Sequence, residues 1–334
     1  MQTIDIHAHI DVPQVEAHVG KRPEWPFIQE FIRKSLGEQS YRYNSEQEAL
    51  NLPKSTDLSL RLKDMDRMGV DMQVISPAPM HYHSWADQEL ASELATIQND
   101  HIAGVCASHP ERFVGLGAVA LQHPELALTQ LIECLRTYGF MGVEISTAYP
   151  GLELSDMRLE PFWRLAEELE AMVLIHPLGS SLGERTSAYY LSNIIGQPLD
   201  TTLALAHLIY SGVFDRYPRL KVCAVHGGGF LPYYIGRFDH AFSVRPESQS
   251  MPYPPSRYLK RIFFDTVVFR PDMLANLIAT AGIEQVVLGS DYPYDMGEYD
   301  IENLLESIPG LDRNGRDAIL GGNAERMLGL TNPI

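Results

Sequence analysis

Short apolar runs alternate with longer amphipathic stretches along this chain. Eight runs read as strands: Thr3–His9, Val70–Ser76, Phe113–Val119, Gly142–Ser146, Met172–His176, Leu220–His226, Ile262–Thr266 and Gln285–Asp291. Most are nearly continuous in apolar residues, the pattern of parallel strands covered on both faces. Between them, apolar residues recur at helical spacing: Leu58, Leu62, Met65 and Met68; then Leu126, Leu128, Leu131, Ile132 and Leu135; then Leu199, Leu203, Ala206, Leu208 and Ile209. Strand–helix alternation predicts a parallel sheet. Eight repeats predict a closed (β/α)8 TIM barrel, with its chemistry on the loops that follow the strands.

Residues 10–56 break the period. They carry Pro13, Pro23, Pro26 and Pro53 with Trp25, Phe31, Tyr41 and Tyr43. The stretch is too long for an ordinary connection, so it is expected to be an insertion after strand one that covers the barrel mouth as a lid. Residues 245–256, with four prolines, read as a second loop. Nothing marks a domain boundary, and residues 1–334 read as one domain.

The ends of the strands concentrate the chemistry. In Ile4-Asp-Ile-His-Ala-His-Ile10, strand alternation puts His7 and His9 on one face, where two imidazoles can grip one divalent ion. Asp5 is in phase with them and is expected to support them from deeper in the strand. His176 ends Met172-Val-Leu-Ile-His, and Asp291 ends Val286-Val-Leu-Gly-Ser-Asp. A carboxylate after such a strand is costly to bury without a cation or strong donors. His226 closes its own strand and precedes three glycines, which let the backbone turn sharply beside a ligand. Three histidines and one aspartate, with no thiolate, suit zinc, manganese, iron or cobalt. Such an ion acidifies a water in its open position, and His226 beside it suits a general acid/base.

Composition narrows the setting. The 334 residues carry a formal charge of −17, which repels nucleic acid and anionic lipid. It leaves an anionic small substrate open, since a metal and one or two arginines reverse the field locally. No secretory leader or membrane-length apolar run is apparent. Cys106, Cys134 and Cys223 are far apart and read as reduced thiols of a cytoplasmic protein.

Taken together, the HxH of strand one, the His-Pro of strand five, the HGGG after strand six and the GSDYP of strand eight resemble the amidohydrolase superfamily. Within it, the chain resembles the branch of aminocarboxymuconate-semialdehyde decarboxylase. The likeness extends through Met65-Asp-Arg-Met-Gly-Val-Asp-Met-Gln-Val74, Gly212-Val-Phe-Asp-Arg-Tyr-Pro218, Gly236-Arg-Phe-Asp239, Phe264-Asp-Thr266 and Gly322-Asn-Ala324. The resemblance implies that His7, His9, His176 and Asp291 bind the metal, usually zinc and sometimes manganese. It implies that His226 is the acid/base, with Asp291 sharing proton duty. Arg237 would bind a substrate carboxylate in a neighbouring subunit, which implies a homodimer. The branch also has a carboxylate-binding arginine in its lid; Arg33 and Arg42 lie in that stretch, and Arg42, between Tyr41 and Tyr43, is the candidate. Glu144, near the end of strand four, stands where binuclear relatives bridge a second metal, although a structural carboxylate is the simpler reading. His81 and His83, after strand two, read as loop histidines that could reach the substrate. The expected function is metal-dependent, non-oxidative decarboxylation of a small unsaturated or aromatic carboxylic acid. The alternatives are a hydrolase of an ester, lactone, amide or C–C bond, or a hydratase, built on the same parts.

Overall fold

The structure is a computed structural model that describes residues 2–330. Its eight principal strands are β1 (Ile4–Ile10), β2 (Met72–Pro77), β3 (Phe113–Ala118), β4 (Gly142–Ser146), β5 (Met172–His176), β6 (Lys221–Ala224), β7 (Ile262–Asp265) and β8 (Val286–Val287). Each pairs in parallel with the next. The ring closes where Ile6 N donates to Leu288 O (2.9 Å), Asp291 N to His7 O (2.8 Å) and His9 N to Tyr292 O (2.7 Å). This is the expected (β/α)8 barrel.

Two strands are much shorter than expected, by three residues or more. β6 stops at Ala224 because the backbone turns left-handed from His226 through Gly229. Added Cβ atoms would sit 2.5 Å from the Phe264 ring at Gly228 and 2.2 Å from Pro198 O at Gly229, so the run of glycines is needed for space as well as for φ. β8 pairs with β7 over Val286–Val287 only. Beyond it, Gly289 exchanges hydrogen bonds with the Thr266 hydroxyl, and the chain leans on β1 instead.

β1 contains a bulge that simple alternation does not foresee. Asp5 pairs with Gln73 and Ala8 with Ile75, so three steps on β1 face two on β2. The extra residue changes which face the side chains occupy. Ile4 and Ile6 join the cluster formed with Val74, Leu116, Leu174 and Val225, whereas Ile10 joins the layer shared with Ile75, Val143 and Ile175. Asp5 therefore does not share the face of His7. Its carboxylate instead accepts from Gln73 Nε2 (2.9 Å), Ser290 N (3.0 Å) and Ser290 Oγ (2.5 Å).

Residues 13–56 form three helices, α1 (Pro13–Val19), α2 (Trp25–Leu36) and α3 (Glu38–Thr56). Val12, Val15 and Val19 seat α1 against Leu90, Ala91 and Leu94 of α5 (Gln88–Ser108), while α2 buries none of its residues. The three apolar stripes read from the sequence are α4 (Leu58–Met68), α6 (Pro124–Arg136) and α8 (Gln197–Tyr210); α7 (Glu160–Glu168) and α9 (Leu231–Val244) lie between and after them. Asp57 caps α4 by accepting from Ser59 N and Leu60 N, and left-handed Gly69 ends it. Among the described residues, no helix is long and apolar enough to cross a membrane.

Helix α4 also supports the barrel mouth. Arg61 is fully buried, donates from Nε to Gln73 Oε1 (2.9 Å) and from Nη1 to His9 O (2.8 Å), and stacks over Tyr292 at 4.9 Å. Burial pulls its pKa down to about 10. Arg61→Ala leaves two buried acceptors unpaired at about 1–3 kcal/mol each. It is expected to lower the unfolding free energy by about 3 kcal/mol or more in a denaturant titration. An unchanged midpoint would show that this anchor carries no stability.

Candidate metal centre and active site

The bulge turns His7 and His9 together toward His176, at the end of β5, and Asp291, just beyond β8. One ligand atom from each of the four lies within 4.8 Å of the others, and all four residues are buried. His7 Nε2 and His9 Nε2 are 3.0 Å apart, and Asp291 Oδ1 is 3.4 Å from the first and 3.3 Å from the second.

The other ring nitrogens identify what these atoms are. His7 Nδ1 faces Asp265 Oδ2 at 2.7 Å, His9 Nδ1 faces Pro77 O at 3.1 Å and His176 Nδ1 faces Pro177 O at 2.7 Å. Each of those partners is an acceptor, so each Nδ1 carries the proton and each Nε2 presents a lone pair. Three lone pairs and a carboxylate oxygen therefore meet in a buried space. Among the described residues, His176 Nε2 and Asp291 Oδ1 have no hydrogen-bond partner. Four acceptors without a donor call for a cation, and the three-imidazole, one-carboxylate set fits a divalent transition ion.

His226 stands outside this set and over it. Its ring lies 5.3 Å from that of His7 and 5.1 Å from that of His176, and its Nε2 is 3.3 Å from Asp291 Oδ2. Asp291 thus turns one oxygen to the cluster and the other to His226. Burial opposes charge on His226, but the Asp291 and Asp265 carboxylates outweigh it and hold its pKa above the ordinary value. Burial likewise opposes charge on Asp291, yet His7, His226 and His9 hold its carboxyl well below the usual range. His176 is pushed well below its ordinary value by burial and by the neighbouring imidazoles. His226 (φ +54°) and Asp291 (φ +58°) both have left-handed backbones, a strained arrangement held by the strands on either side.

The other residues singled out from the sequence lie around this core. Glu144, on β4, sits behind His9, with Oε2 3.7 Å from His9 Nδ1, and its Oε1 accepts from the Tyr82 hydroxyl at 2.6 Å. Burial raises its pKa. Among the described residues, Glu144 is not part of the metal-ligating group. His81 and His83 are both buried. Arg237 is exposed on α9 and makes no hydrogen bond or ion pair among the described residues. Arg42 is 75 % exposed on α3, with Nε 4.0 Å from Glu46 Oε1, and is not brought to the cluster.

Two residues here carry roles that sequence reasoning did not assign. Asp265 holds His7 through Oδ2 and accepts from Gly227 N through Oδ1 (2.8 Å), so one carboxylate orients a ligand and fixes the turn that carries His226. Its signal was a lone Asp at the end of the run Ile262-Phe-Phe-Asp265. Tyr294 lies with its ring 5.3 Å from that of His9. Its signal was the second tyrosine in Asp291-Tyr-Pro-Tyr294.

Comparison with known proteins gives a consistent picture. The family model described as amidohydrolase matches residues 4–330. The 2-amino-3-carboxymuconate-6-semialdehyde decarboxylase of Dictyostelium discoideum is 37% identical over 276 residues, 82% of this chain and 77% of that protein. Among solved structures, 5-carboxyvanillate decarboxylase from Sphingomonas paucimobilis superposes with a TM-score of 0.83 at 25% identity, covering 99% of each chain. The 5-carboxyvanillate decarboxylase of Novosphingobium aromaticivorans, complexed with manganese and a nitrobenzoic acid, gives 0.87 at 24% identity, over 98% of this chain and 96% of that one.

Asp265→Asn keeps the size of the side chain but removes the charge that fixes the His7 tautomer. It is expected to weaken divalent-ion affinity by about 10–100-fold, read by competition against a chromophoric chelator. Unchanged affinity would show that Asp265 does not orient His7.

Proposed function

The chain belongs to the amidohydrolase family, and on that footing we propose that it is a metal-dependent, non-oxidative decarboxylase of a small aromatic or unsaturated carboxylic acid. The observation that carries this reading is the buried convergence of four acceptor atoms beside a histidine that is not one of them. Nε2 of His7, His9 and His176 and Oδ1 of Asp291 would hold a divalent ion, which would supply Lewis acidity toward a substrate oxygen and offset charge developing as the C–C bond breaks. The three imidazoles favour zinc over manganese in this proposal.

The chain's own groups handle the proton. His226 holds it at Nε2, within reach of Asp291 Oδ2. When the carboxylate leaves as carbon dioxide, the bonding pair stays on the substrate carbon, and His226 delivers its proton there. The His226 side chain is 16 % exposed, so it recovers a proton from the solvent side of the mouth. Asp291 keeps the imidazole aimed and balances its charge.

Helices α1–α3 serve as the lid in this reading. Arg237 has no hydrogen-bond or ion-pair partner among the described residues and is exposed on α9, as suits a guanidinium that binds the substrate carboxylate of a second copy in a homodimer. Three free cysteines and a charge of −17 fit a cytoplasmic enzyme of small molecules and not a nucleic-acid or membrane binder.

The deciding experiment is carbon dioxide release by the metal-reconstituted protein over hydroxybenzoates, carboxymuconate semialdehydes and related diacids, with products identified by mass. Release should stop on chelation. His226→Ala should keep its ion and lose about 10²–10⁴-fold in kcat. A product that has gained water, or a hydrolysed bond with no carbon dioxide, would overturn the decarboxylase reading.

Shared sites have a second signature. His226→Ala and Arg237→Ala subunits, each inactive alone, should regain activity when mixed, because one interface then holds an intact pair. No recovery on mixing, with heterodimers shown to form, would place Arg237 outside the neighbouring site.

A further inference from the structure

The loop just beyond β8 closes back on itself and holds one aromatic ring beside the ligand cluster. Tyr294 N donates to Asp291 O (3.1 Å), and Tyr294 O accepts from Gly297 N (3.0 Å) and from the Tyr299 hydroxyl. Glu298 N donates to Ser290 O (2.9 Å), which ties the far end of the loop to its start. Gly297 is required for this closure: a Cβ there would lie 2.5 Å from the Tyr299 hydroxyl oxygen and 2.7 Å from Ser290 O. Both backbone polar groups of Tyr294 are therefore bonded within the loop. Its ring is held beside that of the ligand His9, 5.3 Å away.

The hydroxyl of this ring is unspent. Other phenols around the mouth have acceptors: the Tyr292 hydroxyl donates to Asp64 Oδ2 (2.8 Å), that of Tyr82 to Glu144 Oε1 (2.6 Å) and that of Tyr299 to Tyr294 O. The Tyr294 hydroxyl makes no hydrogen bond among the described residues. Tyr294 is half-buried, and its oxygen is not one of the sealed polar atoms that lack a partner, so water reaches it. Burial and the Asp291 carboxylate hold the phenol well above its usual range, so the oxygen keeps its proton and can donate.

His226 stands against the rings of His7 (5.3 Å) and His176 (5.1 Å), whereas Tyr294 stands against that of His9. The two residues thus flank the cluster over different ligands. An acid held at the cluster has the proton-carrying imidazole on one flank and a fixed aromatic ring with a free O–H on the other. The ring favours a flat molecule, and the O–H favours an acceptor oxygen on it.

We propose that Tyr294 is a specificity-determining residue of the decarboxylase reading, on which this inference rests: its hydroxyl donates a hydrogen bond to an acceptor oxygen carried by the acid, on the His9 side of the cluster. The substrate is then a planar acid with a carbonyl, nitro-like or carboxylate oxygen in addition to the carboxylate that leaves. An apolar group of the same shape in that place displaces water from the phenol and returns no hydrogen bond, so it is discriminated against.

The test is calorimetric binding of paired salicylates to the metal-loaded full chain, with carbon dioxide release followed in parallel. Each pair carries a nitro, acetyl or carboxylate group, or an isopropyl group of similar shape, at the same ring position. At one ring position the oxygen-bearing compound should bind about tenfold or more tighter than its isopropyl partner. Tyr294→Phe keeps the ring and removes only the hydroxyl. It should shrink that ratio to about twofold or less, mainly through KM, while isopropyl binding and the bound ion stay as they were. A merely structural role would weaken both members of the pair alike and lose ion with them. Equal binding within every pair by the native chain, a ratio that survives Tyr294→Phe, a parallel loss for both members, or no binding by any compound overturns the proposal. The native ratio decides even where the variant fails to fold. The two readings fail separately: a Tyr294-dependent preference without carbon dioxide keeps the donor and sinks the decarboxylase, while release without preference does the reverse.

Discussion

Four lone-pair donors facing one buried space make the constraint around which the rest of the barrel mouth is arranged. Such a group repels itself and has lost its water, so on its own it is a source of instability. The surroundings hold it in place all the same. Asp265, Pro77 O and Pro177 O each occupy one Nδ1, so no imidazole can turn its N–H inward and relieve the crowding. Arg61 fixes the carbonyl of His9 from outside the sheet, and Asp5 fixes Ser290 next to Asp291. The barrel mouth is stable as a whole only because each element that strains it is bonded from behind.

Asp291 gives the site its internal coupling. One carboxylate faces the ligand cluster with one oxygen and His226 with the other. Whatever draws charge toward one oxygen weakens the hold of the other. Occupancy of the cluster and the proton affinity of His226 are thus two readings of one electron distribution. The left-handed backbones at both residues serve this geometry, since they bring a strand end and a turn close enough for one carboxylate to serve both.

Much of this was legible in the sequence. Near-continuous apolar runs located the strands, and the residues ending them were the ones that converge. The helical stripes at Leu58–Met68, Leu126–Leu135 and Leu199–Ile209 all became helices. What escaped was whatever depends on tertiary register. Period-two alternation put Asp5 on the face of His7, but a bulge intervenes, and a bulge leaves no local compositional mark. Asp265 looked like a strand-end aspartate because its partner, His7, is 258 residues away. Arg42 between two tyrosines read as a binding residue, but it lies exposed on α3 beside Glu46. Residues 13–56 were visible as an interruption; that they would be helical was not, because α2 has no buried face to give a core signal.

The bulge in β1 also makes this strand sensitive to parity. An ordinary strand tolerates exchange of one apolar residue for another because every second position is equivalent. Here the two halves of the strand obey opposite in–out rules, joined at a single extra residue between Asp5 and Ala8. Were the strand to run on from Ile6 without the bulge, both imidazoles would turn to the outside of the sheet and Ala8 and Ile10 would turn in, with no ligand's identity altered. No substitution of a ligand would repair that; only the extra residue does. In this short segment the number of residues carries as much information as their chemistry, and evolution can vary the loops in length but this strand only in kind.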